Sequence, residues 1–398
     1  MHSNNTPEEV IIIGGGPAGS ASAMNLLRHG FQPVIIEAEH FPRFHIGESL
    51  TTECVDALNR LGLDGKLQAL AAPQKKGVRI FSHHPENSFY VGAGDAWQVE
   101  RAPFDNMMLD EAIQRGAKHI TGQAVNIERN KGLWHISIQT NKAKALLKSR
   151  FVIDATGQQR FTQKQGLWGQ LNAGDYAHQM AFFGQFENIK HQDIDMHDTL
   201  IFHRKKHEWV WMIPLNEKVT SVGLVVPVED FKKSKLSMTD FLEDNIRSFS
   251  QPLEQRAHNM KRVNDVRAIS NYSFSIDEYC RDGLFCVGDS HRFIDPIFSF
   301  GVQFSVVEAE YVSKAMLECS QCDESEWSSI HETYMQITTQ AQDVIQDMLS
   351  YFWKHPWGFA NMAHQKYANE FLEIFAGRIY EKEAGKGLTH MRRVLDEQ

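Results

Sequence analysis

Hydrophobic and polar positions follow two different periods along this chain. Val10-Ile11-Ile12-Ile13 is a continuous apolar run that meets a glycine cluster, the pattern of a strand buried on both faces. A second short apolar run, Val34-Ile35-Ile36, comes 20 or so residues later. Residues 9–37 therefore predict strand, glycine turn, helix and strand. A helical patch is expected at 48–70, and strand-like segments with turns at 77–101. Phe104, Met107, Met108, Ala112 and Ile113 recur at helical spacing, and Gly116 closes a helix over 103–116. Val152-Ile153 reads as a short strand returning to the first sheet, 176–228 is strand-rich, and 284–287 is another buried strand. From 302 to 349 the period turns helical, and the chain stays helix-prone and aromatic almost to its end.

The glycine cluster adds chemistry to that pattern. Gly14-Gly15-Gly16-Pro17-Ala18-Gly19 is GxGxxG with a strand before it and a helix after it. Gly14 permits the tight turn, Gly16 lets the backbone approach a pyrophosphate, and Gly19 lets helix and strand pack closely. The helix N-terminus offers unpaired N–H groups to the phosphates. The second strand ends in Glu37, 23 positions after Gly14, where a carboxylate accepts from ribose hydroxyls and repels a 2′-phosphate. A dinucleotide site follows. No second GxGxxG is visible, so a dedicated nicotinamide domain is not expected.

Composition narrows the class from outside. The 398 residues exceed the size at which one core usually stops growing, which favours two joined parts. Because strands of the first sheet are scattered over the first 290 residues, the parts are discontinuous. The expected fold is α/β: a Rossmann-type nucleotide-binding part at 8–175 and 265–310, an inserted β-rich substrate-side layer at 75–101 and 176–264, and a helical C-terminal region at 311–398. The net charge of −9 argues against nucleic acid as a partner. Two short basic clusters, Arg204-Lys205-Lys206 and Lys232-Lys233, read as solvated loops. No apolar run has the roughly 18 residues of a membrane span, and the N-terminus lacks a signal-peptide layout, so a cytoplasmic chain is expected. Five cysteines at irregular spacing describe neither a disulfide framework nor a metal site, and Cys319-Ser-Gln-Cys322 reads as two incidental thiols near a helix end.

Two further strand-to-turn elements identify the dinucleotide. Phe151-Val152-Ile153-Asp154-Ala155-Thr156-Gly157 and Gly283-Leu284-Phe285-Cys286-Val287-Gly288-Asp289 resemble the second and third FAD signatures of the flavoprotein monooxygenase superfamily. Three signatures in order imply FAD, with Asp289 on the ribityl chain.

Within that superfamily the chain resembles the flavin-dependent halogenases. Phe41-Pro42-Arg43-Phe44-His45-Ile46-Gly47-Glu48-Ser49-Leu50 resembles the stretch that wraps the flavin, implying contacts from Arg43, Gly47, Glu48 and Ser49. Trp209-Val210-Trp211-Met212-Ile213-Pro214 matches WxWxIP. Alternation on a strand puts Trp209, Trp211 and Ile213 on one face, and with Pro214 they would wall off the flavin. Asp295-Pro296-Ile297-Phe298-Ser299-Phe300-Gly301-Val302 resembles the segment whose backbone amides hold a halide, which implies a halide site at Phe300 and Gly301 and a flavin contact at Pro296. Phe300 stands where that family usually has Ser or Thr, and Phe298 where the tryptophan-specific members have Glu. Gln74-Lys75-Lys76-Gly77 holds the reactive lysine; the resemblance implies Lys75, with Lys76 the adjacent alternative. Arg101 resembles an arginine near the flavin, a surface ion pair being the plainer reading. Ala18 and Gly157 complete the cofactor set. His291 reads as a turn residue.

The resemblance implies an FADH2-dependent halogenase. Oxygen would form a flavin C4a-hydroperoxide, chloride or bromide would attack it, and hypohalous acid would reach Lys75 and then an electron-rich pyrrole or phenol. It also implies a separate flavin reductase as partner, with the aromatic substrate either free or tethered to an acyl or peptidyl carrier protein. The Tyr351–Phe359 stretch could cover the tunnel mouth or simply pack as core. An FAD-dependent aromatic monooxygenase or isoprenoid-type reductase shares the FAD motifs and is the alternative, as is a catalytically silent FAD-binding protein.

Overall fold

A computed structural model describes residues 8–82, 88–173, 178–270, 273–381 and 385–397. Two sheets, each of eight described strands, organise it. In the first, the strands run in the order Cys280–Arg281, Leu284–Cys286, Lys144–Asp154, Glu8–Ile13, Pro33–Glu37, Lys118–Thr121. The central strands are parallel, and Ile11 sits between Val34 and Val152. Val10, Ile11 and Ile12 are wholly buried, as an unbroken apolar run requires of a strand covered on both faces. A ribbon of Gln123–Asn130 and Leu133–Gln139 joins this sheet through Lys144–Asp154. Its inward set, Trp134, Ile136 and Ile138, alternates visibly in the sequence, although no strand is expected there above.

The second sheet runs Lys261–Arg262, Gln179–Glu187, Val219–Pro227, Glu208–Pro214, Asp198–Lys205, Gln74–Phe81, Ser88–Trp97. Arg267–Ser270 also pairs with Gln179–Glu187, so it belongs to this sheet and not to the nucleotide-binding part to which 265–310 assigns it. A strand this short and half-exposed carries too little pattern to reveal its partner. Both faces of the sheet are covered. Trp209, Trp211 and Ile213 pack towards the C-terminal helices, while Val210 and Met212 pack into a separate cluster with the helix Met238–Ser248.

The helix expected at 103–116 starts earlier, at Arg101, and carries Pro103 in its first turn, where a missing N–H costs nothing. The lysine strand likewise starts at Gln74, which places Lys75 inside it. C-terminally, the helices Gly301–Gln321 and Trp327–Lys354 pack together. Among the described residues, no helix is long and apolar enough to cross a membrane, and no group of His, Cys, Asp or Glu could hold a metal ion. Cys319 and Cys322 lie at the end of Gly301–Gln321, both as free thiols.

Candidate functional site

The site is assembled where the two sheets and the helix Gly301–Gln321 meet. At its nucleotide end, the Gly14 amide donates to Ile36 O at 2.8 Å, tying the turn to the second strand. Gly19 has no room for a side chain: a Cβ there would stand 1.9 Å from Gly14 O, so glycine is what lets helix and turn pack. Ala18 is buried in the first turn of the helix Pro17–Arg28, which has no side-chain cap and no acidic residue there. Its amide end is therefore open to an anion, and Gly16 faces the Arg43 guanidinium, 3.4 Å from where its Cβ would be. Glu37 is buried and accepts from the Gly15 amide at 2.6 Å and the Glu39 amide at 2.7 Å, so it braces the loop as well as ending the strand.

Arg101 is no surface ion pair. It is 6% exposed and grips Asp105 through Nε at 2.7 Å and Nη2 at 3.0 Å. Asp105 also accepts from Arg43 at 3.2 Å, and Arg101 donates to the Ile46 carbonyl. One buried carboxylate thus orders both arginines and the wrapping segment. Sequence reasoning missed Asp105, although Arg101 and Asp105 are four apart on what proves to be a helix. A Cβ on Gly47 would lie 3.0 Å from Arg101 Nη1, which fixes how closely that segment passes. Glu48 is buried, accepts from the Gly47 amide at 3.0 Å, and is pushed above the ordinary carboxylate range by burial, an effect the Ser221 hydroxyl opposes. Ser49 shares a 2.8 Å hydrogen bond with Thr199, joining the wrapping segment to the second sheet.

Three motifs converge at Asp289. A Cβ on Gly157 would lie 4.0 Å from the Asp289 Cβ, and one on Gly301 would lie 3.9 Å from Asp289 Oδ1. Asp289 makes no hydrogen bond among the described residues; removal from water raises its carboxyl to about 7, against the pull of Arg101. Asp154 behaves differently. Its oxygens are taken by Thr156 N at 3.0 Å, Thr156 Oγ1 at 2.6 Å, Thr162 N at 2.7 Å and Thr162 Oγ1 at 2.6 Å, so it holds the Gly157 turn in shape and does not project into the cradle.

Behind the Gly288–Asp289 turn lies a network the sequence reading did not anticipate. Glu308 is wholly buried and accepts from the Gly288 amide at 2.7 Å, pairs with His291 Nε2 at 2.9 Å, and accepts from Gln342 at 2.9 Å. His291 stacks on Tyr279 with centroids 4.0 Å apart. It is a turn residue, but a buried and bonded one. An acid at an apolar position of the helix, Glu308 in Val306-Val307-Glu308-Ala309, was the signal available.

The reaction end is built from rings. Trp209 and Trp211 sit 5.6 Å apart on one face of Glu208–Pro214, with Ile213 and Pro214 also buried. The Trp211 indole covers Gly223, where a Cβ would fall 2.1 Å from the ring, and donates to Ser221 at 3.2 Å. Asp295 caps the short turn Pro296–Phe298, its Oδ1 accepting from Ile297 N at 3.1 Å. Burial raises its carboxyl to about 6. Ser299 then takes a left-handed conformation and Phe300 opens the helix Gly301–Gln321. The amides of Phe300 and Gly301 donate to no acceptor among the described residues. Phe300 is 3% exposed and lies against Phe304, while Phe298 stacks on Phe359 at 5.9 Å.

Lys75 and Lys76 are separated decisively by burial. Lys75 is 3% exposed and donates from Nζ to Leu50 O at 3.0 Å, whereas Lys76 is exposed. Burial lowers the Lys75 ammonium to about 8. Trp209, Trp211 and Ile213 belong to one packed cluster with Phe298, Phe300 and the Val78 and Ile80 of the lysine strand.

An open helix end beside an arginine, an acid at the close of the second strand and an unpartnered Asp289 between two glycine turns fit a dinucleotide with a polyol linker. The chain belongs to the FAD-binding domain family, which it matches over residues 8–348. Within that family it stands among the flavin-dependent halogenases. It is 29% identical over 394 residues to the 1H-pyrrole-2-carbonyl-(peptidyl-carrier protein) brominase of Pseudoalteromonas luteoviolacea, covering 98% of this chain and 96% of that one. It is 25% identical to the corresponding chlorinase of Pseudomonas fluorescens, covering 97% and 93%. The solved structure of the flavin-dependent brominase Bmp2 superposes with a TM-score of 0.93 at 28% identity, covering 98% and 99%. The fold alone extends further, to a flavoprotein/dehydrogenase from Cytophaga hutchinsonii at 22% identity and a TM-score of 0.86.

Proposed function

We propose that this halogenase acts on an electron-rich pyrrole tethered to a carrier protein, using bromide or chloride, oxygen and reduced FAD from a separate flavin reductase in the cytoplasm. The observation that carries the reading is Lys75: a buried amine, lowered to about 8, whose Nζ donates to the Leu50 carbonyl at the end of the wrapping segment. The two relatives named for a carrier-bound pyrrole match almost the whole chain, which supports that substrate over a free phenol.

When bound, reduced FAD supplies the oxygen activation that makes a halide electrophilic. Gly14, Gly16, Ala18, Gly19, Glu37 and Arg43 would hold its nucleotide half, and Gly47, Glu48, Ser49, Arg101, Gly157, Gly288, Asp289 and Pro296 its flavin half. Asp154 would act by shaping the Gly157 turn. The amides of Phe300 and Gly301 would bind the halide, a fitting use of an uncapped helix start. Trp209, Trp211, Ile213 and Pro214 would keep the aromatic substrate away from the flavin. Lys75 as an ammonium donates a hydrogen bond to the oxygen of hypohalous acid and so polarises the oxygen–halogen bond. The ring attacks the halogen, loses its proton, and water leaves. On this reading, the division into a nucleotide-binding part, a substrate-side layer and a helical roof follows those roles.

Purified protein with FAD, a flavin reductase, NADH and either halide tests this, offered a pyrrolyl carrier protein and a free phenol separately. A halogen isotope pattern on the carrier-bound pyrrole that vanishes in Lys75→Ala is the expected result. Halogenation of the phenol alone would overturn the substrate assignment, and oxygen addition without halogen would move the chain to the monooxygenases.

A further inference from the structure

Two features of the sequence find no use in that chemistry: the basic cluster at 204–206 and the aromatic stretch around Trp357. The structure packs the loop that carries the first against the start of the second. The loop between Asp198–Lys205 and Glu208–Pro214 carries His207, whose ring lies 5.2 Å from Trp353 at the end of the helix Trp327–Lys354. Arg204 and Lys205 are matched there by the buried Glu208, at 2.9 Å and 2.7 Å. Lys206, Lys354 and Lys366 are exposed and form no ion pair among the described residues. Between Asp347 and Glu370 the chain has no acidic residue, while it holds Lys354, His355, His364 and Lys366. In a chain of net charge −9, that is a local reversal of sign.

The same stretch exposes an aromatic ring. Trp357 is 72% exposed, the most of any large apolar side chain described, on the short helix Pro356–Asn361. Two residues on, Phe359 is wholly buried against Phe352 at 5.2 Å and Phe298 at 5.9 Å. One helix therefore shows Trp357 to solvent and forms, with its other side, a layer over the anion turn.

We propose that this face, Trp357 with Lys354, Lys366 and Lys206, is the docking surface for the carrier protein that presents the pyrrole. The inference rests on the carrier-tethered reading above and adds where the carrier sits. The occupant's chemistry suits the face. A phosphopantetheine arm joins its carrier through an anionic phosphodiester, which three unpaired ammonium groups attract. An exposed tryptophan is the residue type that anchors protein interfaces. Docking here brings the arm to the helix whose Phe359 stacks on Phe298, in the same packed cluster as Phe300.

The experiment compares two forms of one substrate. Pyrrole-2-carboxylate is offered as the thioester of a holo peptidyl carrier protein and as the thioester of free pantetheine. Wild type, Trp357→Ala, Lys354→Glu and Lys366→Glu are assayed with FAD, reductase and bromide, and melting temperatures confirm that each surface variant is folded. The expected result is a KM for the carrier form raised about tenfold in Trp357→Ala and in the charge reversals, with the pantetheine form unchanged. Rising salt should weaken the carrier KM in wild type and do so less in the lysine variants. Equal kinetics on the carrier form in all four proteins would overturn the docking surface while leaving the carrier reading intact. A parallel loss on both thioesters would overturn it too, by showing that the helix acts on the site and not on the partner. Wild type that halogenates pyrrole only in the free thioester would defeat the carrier reading, and the docking surface with it.

Discussion

The two ends of the site are held by opposite means. At the cofactor end, buried charges and backbone amides do the holding: Asp105 orders Arg101 and Arg43, Glu37 braces the glycine turn, and Glu308 grips the Gly288 amide. At the reaction end, position comes from packed rings, with Trp209 and Trp211 on the sheet facing Phe298, Phe300, Phe352 and Phe359. Directional bonds suit a large polar cofactor whose ring must be fixed in angle. Apolar walls suit a short-lived oxidant, because they exclude bulk water and the polar side chains that would consume it.

That contrast is broken most severely by deleting the amine. Lys75→Ala should lower halogenation by about a thousandfold, the scale of a lost proton donor, with FAD affinity within twofold of wild type. Mass spectrometry of product and a flavin-fluorescence titration give the two readings. Retained activity would pass the role to another group, and lost FAD binding would show that Lys75 holds the cradle. Next in size is a ring. Phe300→Ala should cost about 3 kcal/mol in urea unfolding, as expected for a buried phenylalanine whose neighbours cannot close the gap. A near-silent substitution would show that Phe300 borders open space and is no part of a packed wall.

The polar end is tested by Glu308→Gln. The amide oxygen still accepts from Gly288 and His291, and Gln342 can turn its own oxygen towards the new donor, so the change removes the carboxylate's charge and little else. Bonds to a charged acceptor are worth on the order of 1–2 kcal/mol more than bonds to a neutral one, so FAD should bind roughly tenfold more weakly in a fluorescence titration. An unchanged affinity would mean that the turn carrying Asp289 is set without this pair.

The polar and aromatic ends also differed in how far the sequence revealed them. The first sheet was legible because an unbroken apolar strand, a glycine turn and Glu37 occur close together in the chain. The alternation of Trp209, Trp211 and Ile213 against Val210 and Met212 read correctly for the same local reason. What stayed hidden depends on distance. Glu308 and His291 meet across 17 positions, and His207 reaches Trp353 from a different element. Lys75 could be preferred to Lys76 only by resemblance, since burial is a property of the folded neighbourhood. Asp154 was expected in the cradle, yet its carboxylate is spent on Thr156 and Thr162, a local arrangement that Asp-x-Thr alone does not announce.

The smallest effect is the most diagnostic of how the two ends cooperate. Burial disfavours the charged form of Lys75 and lowers it from 10.5 to about 8. Below pH 8 the ammonium is present, so if it is the working form, kcat should be flat there and fall up to tenfold per unit above it. A haloamine route needs the neutral amine, and its rate should rise through the same pH. Stability moves in a definite direction as well. Between about 8 and 10.5 the unfolded chain keeps a proton that the folded one has shed, so this group makes the fold more stable as pH rises through that window. Lys75→Met should remove that slope from the pH dependence of the melting temperature while leaving the rest of the curve in place. A slope that survives in Lys75→Met would assign it to other groups and return the Lys75 amine to an ordinary, hydrated lysine.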